Sequence, residues 1–182
     1  MFNSLFNSHK PPDHEFVIKL GGKRIAPSDH IKYLGMLIDR NLNFGPQINA
    51  VAIKLKRANG ILARLRHSVP KTILISVYYA LFFSHLNYCI QIWGQNVSAS
   101  VSRIQSLQNS TVRIMSFADY HAPVNPLYFD LKIIKYEDLI HIRNATFIYS
   151  IYHYLLPPDI SDTFATDFSH VYTQQKLPLV SS

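Results

Sequence analysis

The chain has 182 residues, 48% of them hydrophobic, with a net charge of +7, and this composition excludes an extended, highly charged disordered chain in favour of one or two packed domains. A single cysteine, Cys89, excludes an intramolecular disulfide framework and points to a reducing, intracellular setting, cytoplasmic or nuclear. The surplus of positive charge favours an anionic partner, nucleic acid first among them.

Residues 1–14, MFNSLFNSHKPPDH, are polar and proline-bearing. They are expected to be disordered, and they lack the basic stretch and apolar run of a secretory signal. Phe16–Leu20, Gly21-Gly22 and Lys23–Ile25 predict a short β-hairpin, because paired glycines supply the positive φ of a two-residue turn. The mostly apolar run Ile31–Ile38, IKYLGMLI, reads as one strand. Gly35 inside it marks either a bulge or a place where another backbone or a ligand comes close.

From Pro46 the pattern becomes helical. Ile48, Val51, Leu55, Ala58, Leu62, Leu65 and Val69 recur at steps of three and four, which gives one apolar stripe. A second helix is predicted with Ser68 as N-cap and Pro70 in its first turn, running unbroken to Gly94. Its segment Ile73–Trp93 has 21 residues and no formal charge, long enough to span a bilayer. Ser84, His85, Asn87 and Gln91 would be costly there, so a buried core helix is expected and a membrane anchor is the alternative. A third helix is expected over about Ala99–Phe117, with Val101, Ile104, Leu107, Thr111, Ile114 and Met115 inward. A loop with Pro123 and Pro126 follows. The last helix should begin near Tyr136, with Glu137 and Asp138 at the positive end of its dipole, and stop at Pro157-Pro158. The tail, 159–182, is expected to be flexible. The fold class is therefore α+β, mainly α: a short β unit over 15–45, then a bundle of about four helices over 46–158.

Between Asp39 and Asp119 lie 79 residues without an aspartate or glutamate and with nine lysines and arginines. Helical geometry puts Lys56, Arg57 and Arg64 opposite the apolar stripe, with Lys54 and Arg66 at its flanks. No acid stands at the i,i+4 positions of a surface salt-bridge lattice. These five residues are the candidate nucleic-acid-binding set, since lysine and arginine release counterions when they neutralise a phosphate backbone. An ordinary solvated helix face is the bland reading of the same pattern. The histidines and Cys89 lack the spacing of a metal site. Phe117-Ala118-Asp119-Tyr120 is one residue short of a Y/F-A-D-D turn, and Tyr120 cannot supply the second carboxylate that two metals need.

The run IKYLGMLIDRNLNF (Ile31–Phe44), with KLKRANGILARLRHSVPKTILISVYYALFFSHLNYCIQIWG after it, resembles reverse transcriptases of jockey-like non-LTR retrotransposons, in the part just downstream of their catalytic palm. The YLG-to-aspartate block, the leucine–arginine helix, the VP break and the YC-x-x-x-WG ending carry the likeness, which extends from about Glu15 to Pro158. Phe44 stands where tryptophan is usual, and Gln47 where histidine is common. The resemblance implies that Tyr33, Leu34 and Gly35 are primer-grip-like residues at the palm end. It implies that 46–158 is a thumb-like domain, holding a template–primer duplex (RNA–DNA or DNA) by its backbone. In the family the magnesium-binding aspartates lie upstream of the YLG block. Here the acids before Asp39 are Asp13, Glu15 and Asp29, none adjacent to another. The chain alone is thus expected to carry no cofactor and no RNA-directed DNA polymerase activity, its natural partners being the palm and fingers of such a polymerase. A domesticated helical module for an acidic protein partner is the alternative, besides the membrane anchor.

Overall fold

The computed structural model describes residues 18–26, 28–95 and 99–160, with only the backbone described at 99–101. The expectations for 1–14, for most of the tail, for Phe16 and for the side chain of Val101 lie outside these residues. The fold is α+β and mainly α, 62% helical. Two separate antiparallel strand pairs come first, β1 (Lys19–Leu20) with β2 (Lys23–Arg24) and β3 (His30–Tyr33) with β4 (Met36–Asp39). Helices follow: α1 (Gly45–Leu65), α2 (Lys71–Val77), a π-helical segment (Tyr78–Phe83), α3 (Ser84–Asn87), α4 (Ile90–Trp93), α5 (Ala99–Met115), α6 (Val124–Leu131) and α7 (Tyr136–Tyr152).

The Gly21-Gly22 turn forms as expected, with φ of +56° and +79°. The run Ile31–Ile38 is not one strand. It folds back on itself at Leu34-Gly35, whose φ values of +45° and +83° are those of a primed hairpin turn. Gly35 is therefore a turn residue, and neither a bulge nor a point of backbone approach. Apolar side chains on both sides of a short strand fit a two-stranded ribbon as well as a single buried strand, and that made the two indistinguishable by pattern.

Asp39 bends the chain from β4 into α1, its Oδ1 accepting the amides of Asn41 and Asn43 at 3.1 Å each. Helix α1 starts behind Phe44, which sits in the left-handed region, with Pro46 in the first turn, where its missing N–H has no partner to lose. The stripe is borne out: Ile48, Val51, Leu55, Ala58 and Leu62 are buried, with Leu65 and Val69 packed against the core. Gln47 Oε1 accepts the Leu37 amide at 3.0 Å and fastens β4 to the start of α1.

The second helix differs from expectation at both ends. Pro70 is its N-cap and Ser68 makes no cap bond. The helix runs through the π segment to Asn87, then breaks where Tyr88 is extended and Cys89 adopts φ of +51°. The break lets α4 turn so that Ile90 and Trp93 are buried. No helix among the described residues is long and apolar enough to cross a membrane.

Helices α1 and α5 lie side by side and parallel. Arg103 meets Asn49 near their starts, Asn59 meets Leu107 and Thr111 in their middles, and Arg66 meets Phe117 at their ends. Between them and α7 lies a core whose largest side chains are Trp93, Tyr78, Tyr136 and Phe82. The stretch with Pro123 and Pro126 is α6 and not a loop, since Pro126 occupies a first-turn position that needs no amide. Helix α7 begins at Tyr136 with Glu137 and Asp138 in its first turn, as expected, but ends at Tyr152. Tyr154 turns left-handed there, and the Leu155 and Tyr154 amides reach back to the Ser150 and Ile151 carbonyls, a Schellman closure that needs no proline.

Candidate nucleic-acid interface

One half of α1 faces the core and the other half carries the cations. Lys54, Lys56, Arg57 and Arg64 are all exposed. At the helical pitch, Arg57 and Arg64 share the middle of the outer face, about 10 Å apart along the axis, while Lys54 and Lys56 take its opposite edges. None of the four forms an ion pair among the described residues. The acid-free window does not protect every cation, however. Lys71 is paired with Asp130, an acid from beyond the window that the fold brings to the start of α2.

Arg66 differs from the other four. It is half-buried, its guanidinium lies 5.2 Å from the centroid of the Phe117 ring, and its Nε donates to His67 Nε2 at 3.0 Å. His67 meets the same ring edge-on. Arg66 therefore closes the joint between the ends of α1 and α5, and less of it is left for a ligand. Arg113 acts similarly, donating to the Ala122 carbonyl at 3.0 Å. At the other edge His85 is pressed by burial and then by the Lys54 charge, so its pKa lies below the usual 6.5.

Tyr33, Leu34 and Gly35 form the tip of the second hairpin, exposed to solvent. The Tyr88 hydroxyl donates to the Leu34 carbonyl and holds the tip beside the start of α1. Arg64 and Arg66 lie at the far end of that helix, about 25 Å away by helical rise. The structure therefore does not bring Arg64 and Arg66 to the hairpin tip.

The YC-x-x-x-WG ending is a packing device. Trp93 is fully buried and donates to the Tyr88 carbonyl at 2.8 Å. A Cβ on Gly94 would lie 2.5 Å from the Ile90 carbonyl oxygen and 2.8 Å from the Ile90 side chain. Phe117-Ala118-Asp119-Tyr120 lies at the C-terminal end of α5, where Phe117 is left-handed and the Ala118 amide returns to the Arg113 carbonyl at 3.0 Å. It is a helix terminus, without the strand–turn–strand of a catalytic turn. Among the described residues no group of three His, Cys, Asp or Glu could hold a metal. Asp29 and Asp39 share a recess with Arg40 and Asn41. With Asp39 Oδ1 engaged by two amides, this set does not fit the two-magnesium clamp of a polymerase.

One residue of the cationic face escapes sequence reasoning. Gly60 lies in the interior of α1 and is exposed. Its φ is not left-handed, and a Cβ there would meet no atom within 4 Å. An interior glycine costs a helix about 1 kcal/mol relative to alanine. A periodicity count passes over it because glycine belongs to neither the apolar nor the charged set.

The chain is similar to RNA-directed DNA polymerases of mobile elements. The probable enzyme from transposon X-element of Drosophila melanogaster is 27% identical over 119 residues, 64% of this chain and 13% of that protein. The probable enzyme from transposon BS of the same species is 29% identical over 126 residues, 68% of this chain and 14% of that protein. That of the mobile element jockey is 27% identical over 125 residues, 66% and 14% of the two chains. The resemblance carried by the YLG block and the WG ending is thus borne out. The chain spans 13–14% of the length of these relatives. No family model matches it, and no solved structure matches it.

Proposed function

We propose that this chain corresponds to the palm-end and thumb portion of a non-LTR retrotransposon reverse transcriptase, and that it holds a template–primer duplex without performing chemistry itself. The observation that carries this reading is the outer face of α1, where Lys54, Lys56, Arg57 and Arg64 stand exposed with no paired carboxylate among the described residues. Such a face tracks phosphates by counterion release and is indifferent to base sequence. Residues 15–45 supply the β unit at the palm end, with Tyr33, Leu34 and Gly35 as a separate primer-grip-like tip. Residues 46–158 supply the grip, with Arg66 at its margin. Magnesium and the aspartates that bind it belong to the palm of such a polymerase, and palm and fingers are the protein partners of this segment. It works where that duplex is made, in the cytoplasm or nucleus.

The test is fluorescence anisotropy of the full chain with a labelled RNA–DNA duplex across a salt series. Affinity should fall steeply with salt, and alanine at Lys56, Arg57 and Arg64 together should flatten the slope by about 3. Salt-independent binding, or displacement of the duplex by an acidic protein but not by unlabelled duplex, would overturn the reading. The second outcome would favour a protein-interaction module instead.

A further inference from the structure

We propose that Gly60 is the point at which the sugar–phosphate backbone of the bound nucleic acid lies directly on α1. The proposal rests on the duplex-holding reading and adds to it a contact that no cation supplies. Nothing inside the protein asks for glycine at this position, because its backbone is not left-handed and the space above it is open. Glycine is nonetheless the residue found there, inside a 21-residue helix that any other ordinary side chain would strengthen.

The surroundings identify what occupies the open space. Helical spacing puts Lys56 and Ala63 along one side of Gly60 and Arg57 and Arg64 along the other. All three cations are exposed and without an ion-pair partner among the described residues. The missing side chain leaves a notch with cationic walls and a floor of bare helix backbone. A polyanion with a narrow, regularly spaced backbone fits this shape. Arginine forks grip its phosphate oxygens from one wall, and the sugar edge rests on the floor, where any Cβ would hold it away. A protein partner with acidic side chains would reach the cations from outside and would have no use for the notch.

The experiment compares full-length wild type with Gly60→Ala, Gly60→Leu and a control, Ser106→Leu, which adds the same side chain at an exposed position on α5. Thermal melting comes first. Gly60→Ala should raise Tm by about 3 °C, which shows the helix intact and strengthened. Duplex affinity at fixed salt should then fall in order of side-chain size, with Gly60→Leu weaker by on the order of tenfold, a change of one decade in Kd. Ser106→Leu should bind like wild type. If wild type binds with a steep salt slope and Gly60→Leu binds equally well, the notch is refuted while the duplex reading stands. Equal weakening by Gly60→Leu and Ser106→Leu refutes the notch as well. If wild type binds no duplex at all, the duplex reading fails and the notch falls with it.

Discussion

The Tyr136 hydroxyl donates to the Gly94 carbonyl at 3.0 Å and ties the first turn of α7 to the end of α4. Both residues are buried, the Tyr136 ring lies against Trp93 with centroids 6.3 Å apart, and a Cβ on Gly94 would also approach the Tyr136 oxygen to 3.3 Å. Gly94→Ala should therefore destabilise the fold by about 1–3 kcal/mol, since backbone must shift to admit the methyl. Tyr136→Phe should cost about 1–2 kcal/mol by leaving the carbonyl without its donor. Urea unfolding of both variants checks the pair, and a neutral Gly94→Ala would contradict the packing described.

Gln108 on α5 is fully buried and uses both ends of its amide. Its Nε2 donates to the Ile134 carbonyl at 2.8 Å and to the Tyr78 hydroxyl at 3.0 Å, and its Oε1 accepts the Tyr136 amide at 2.8 Å. Gln108→Leu fills the space but takes this partner from the buried Tyr78 hydroxyl, the buried Tyr136 amide and the part-buried Ile134 carbonyl, and a loss of about 2–4 kcal/mol is expected. The urea midpoint should fall with little change in slope.

Acid should weaken the fold through His85. Its folded pKa is depressed below 6.5, by burial first and by Lys54 second, so the unfolded chain takes up its proton more readily than the native one. Stability contributed by neutral His85 is complete above 6.5 and is lost as pH falls from there through the depressed value. His85→Asn should flatten that limb of the Tm profile. Lys54→Ala should flatten it less, because burial remains.

Alkali acts through the buried phenols. Burial raises Tyr78, Tyr128 and Tyr136 well above the usual 10.0. Their contribution is intact below 10.0 and is lost as pH rises through the raised values, since the unfolded chain releases those protons first. Ultraviolet titration should show these three tyrosines silent until the protein unfolds.

Arg66 and Arg57 should separate stability from binding. Arg66→Ala removes the guanidinium stacked on Phe117 and should cost about 0.5–1 kcal/mol of stability, with a smaller effect on duplex affinity than Arg57→Ala. Arg57→Ala should leave Tm nearly unchanged and lower the salt slope by about 1. Paired melting and anisotropy measurements decide it, and the reverse ranking would make Arg66 a stronger duplex contact than Arg57.

The cationic half of α1 was legible because a 3.6-residue period is local. Ile48 to Leu62 fix which side faces the core, and the lysines and arginines are then left on the other side. Other local cues placed the Gly21-Gly22 turn, through the positive φ that glycine allows, and the start of α7, through Glu137 and Asp138 in its first turn. Periodicity could not place Gly60, because the position is defined by the emptiness above it.

Sequence by itself thus determined the helical class, the apolar stripe and the sign of the charge on α1, all properties of neighbours within two turns. Tertiary structure alone decided the hairpin at Leu34-Gly35, the break at Tyr88-Cys89, the parallel run of α1 beside α5 and the burial of Gln108. It alone decided that Lys71 meets Asp130 while Arg57 and Arg64 meet no acid among the described residues. The helix pairing, the burial of Gln108 and the Lys71–Asp130 pair depend on groups tens of residues apart along the chain, whose meeting is set by how the helices pack and not by any spacing within one of them. The hairpin and the break are short-range events whose apolar pattern fits more than one local structure.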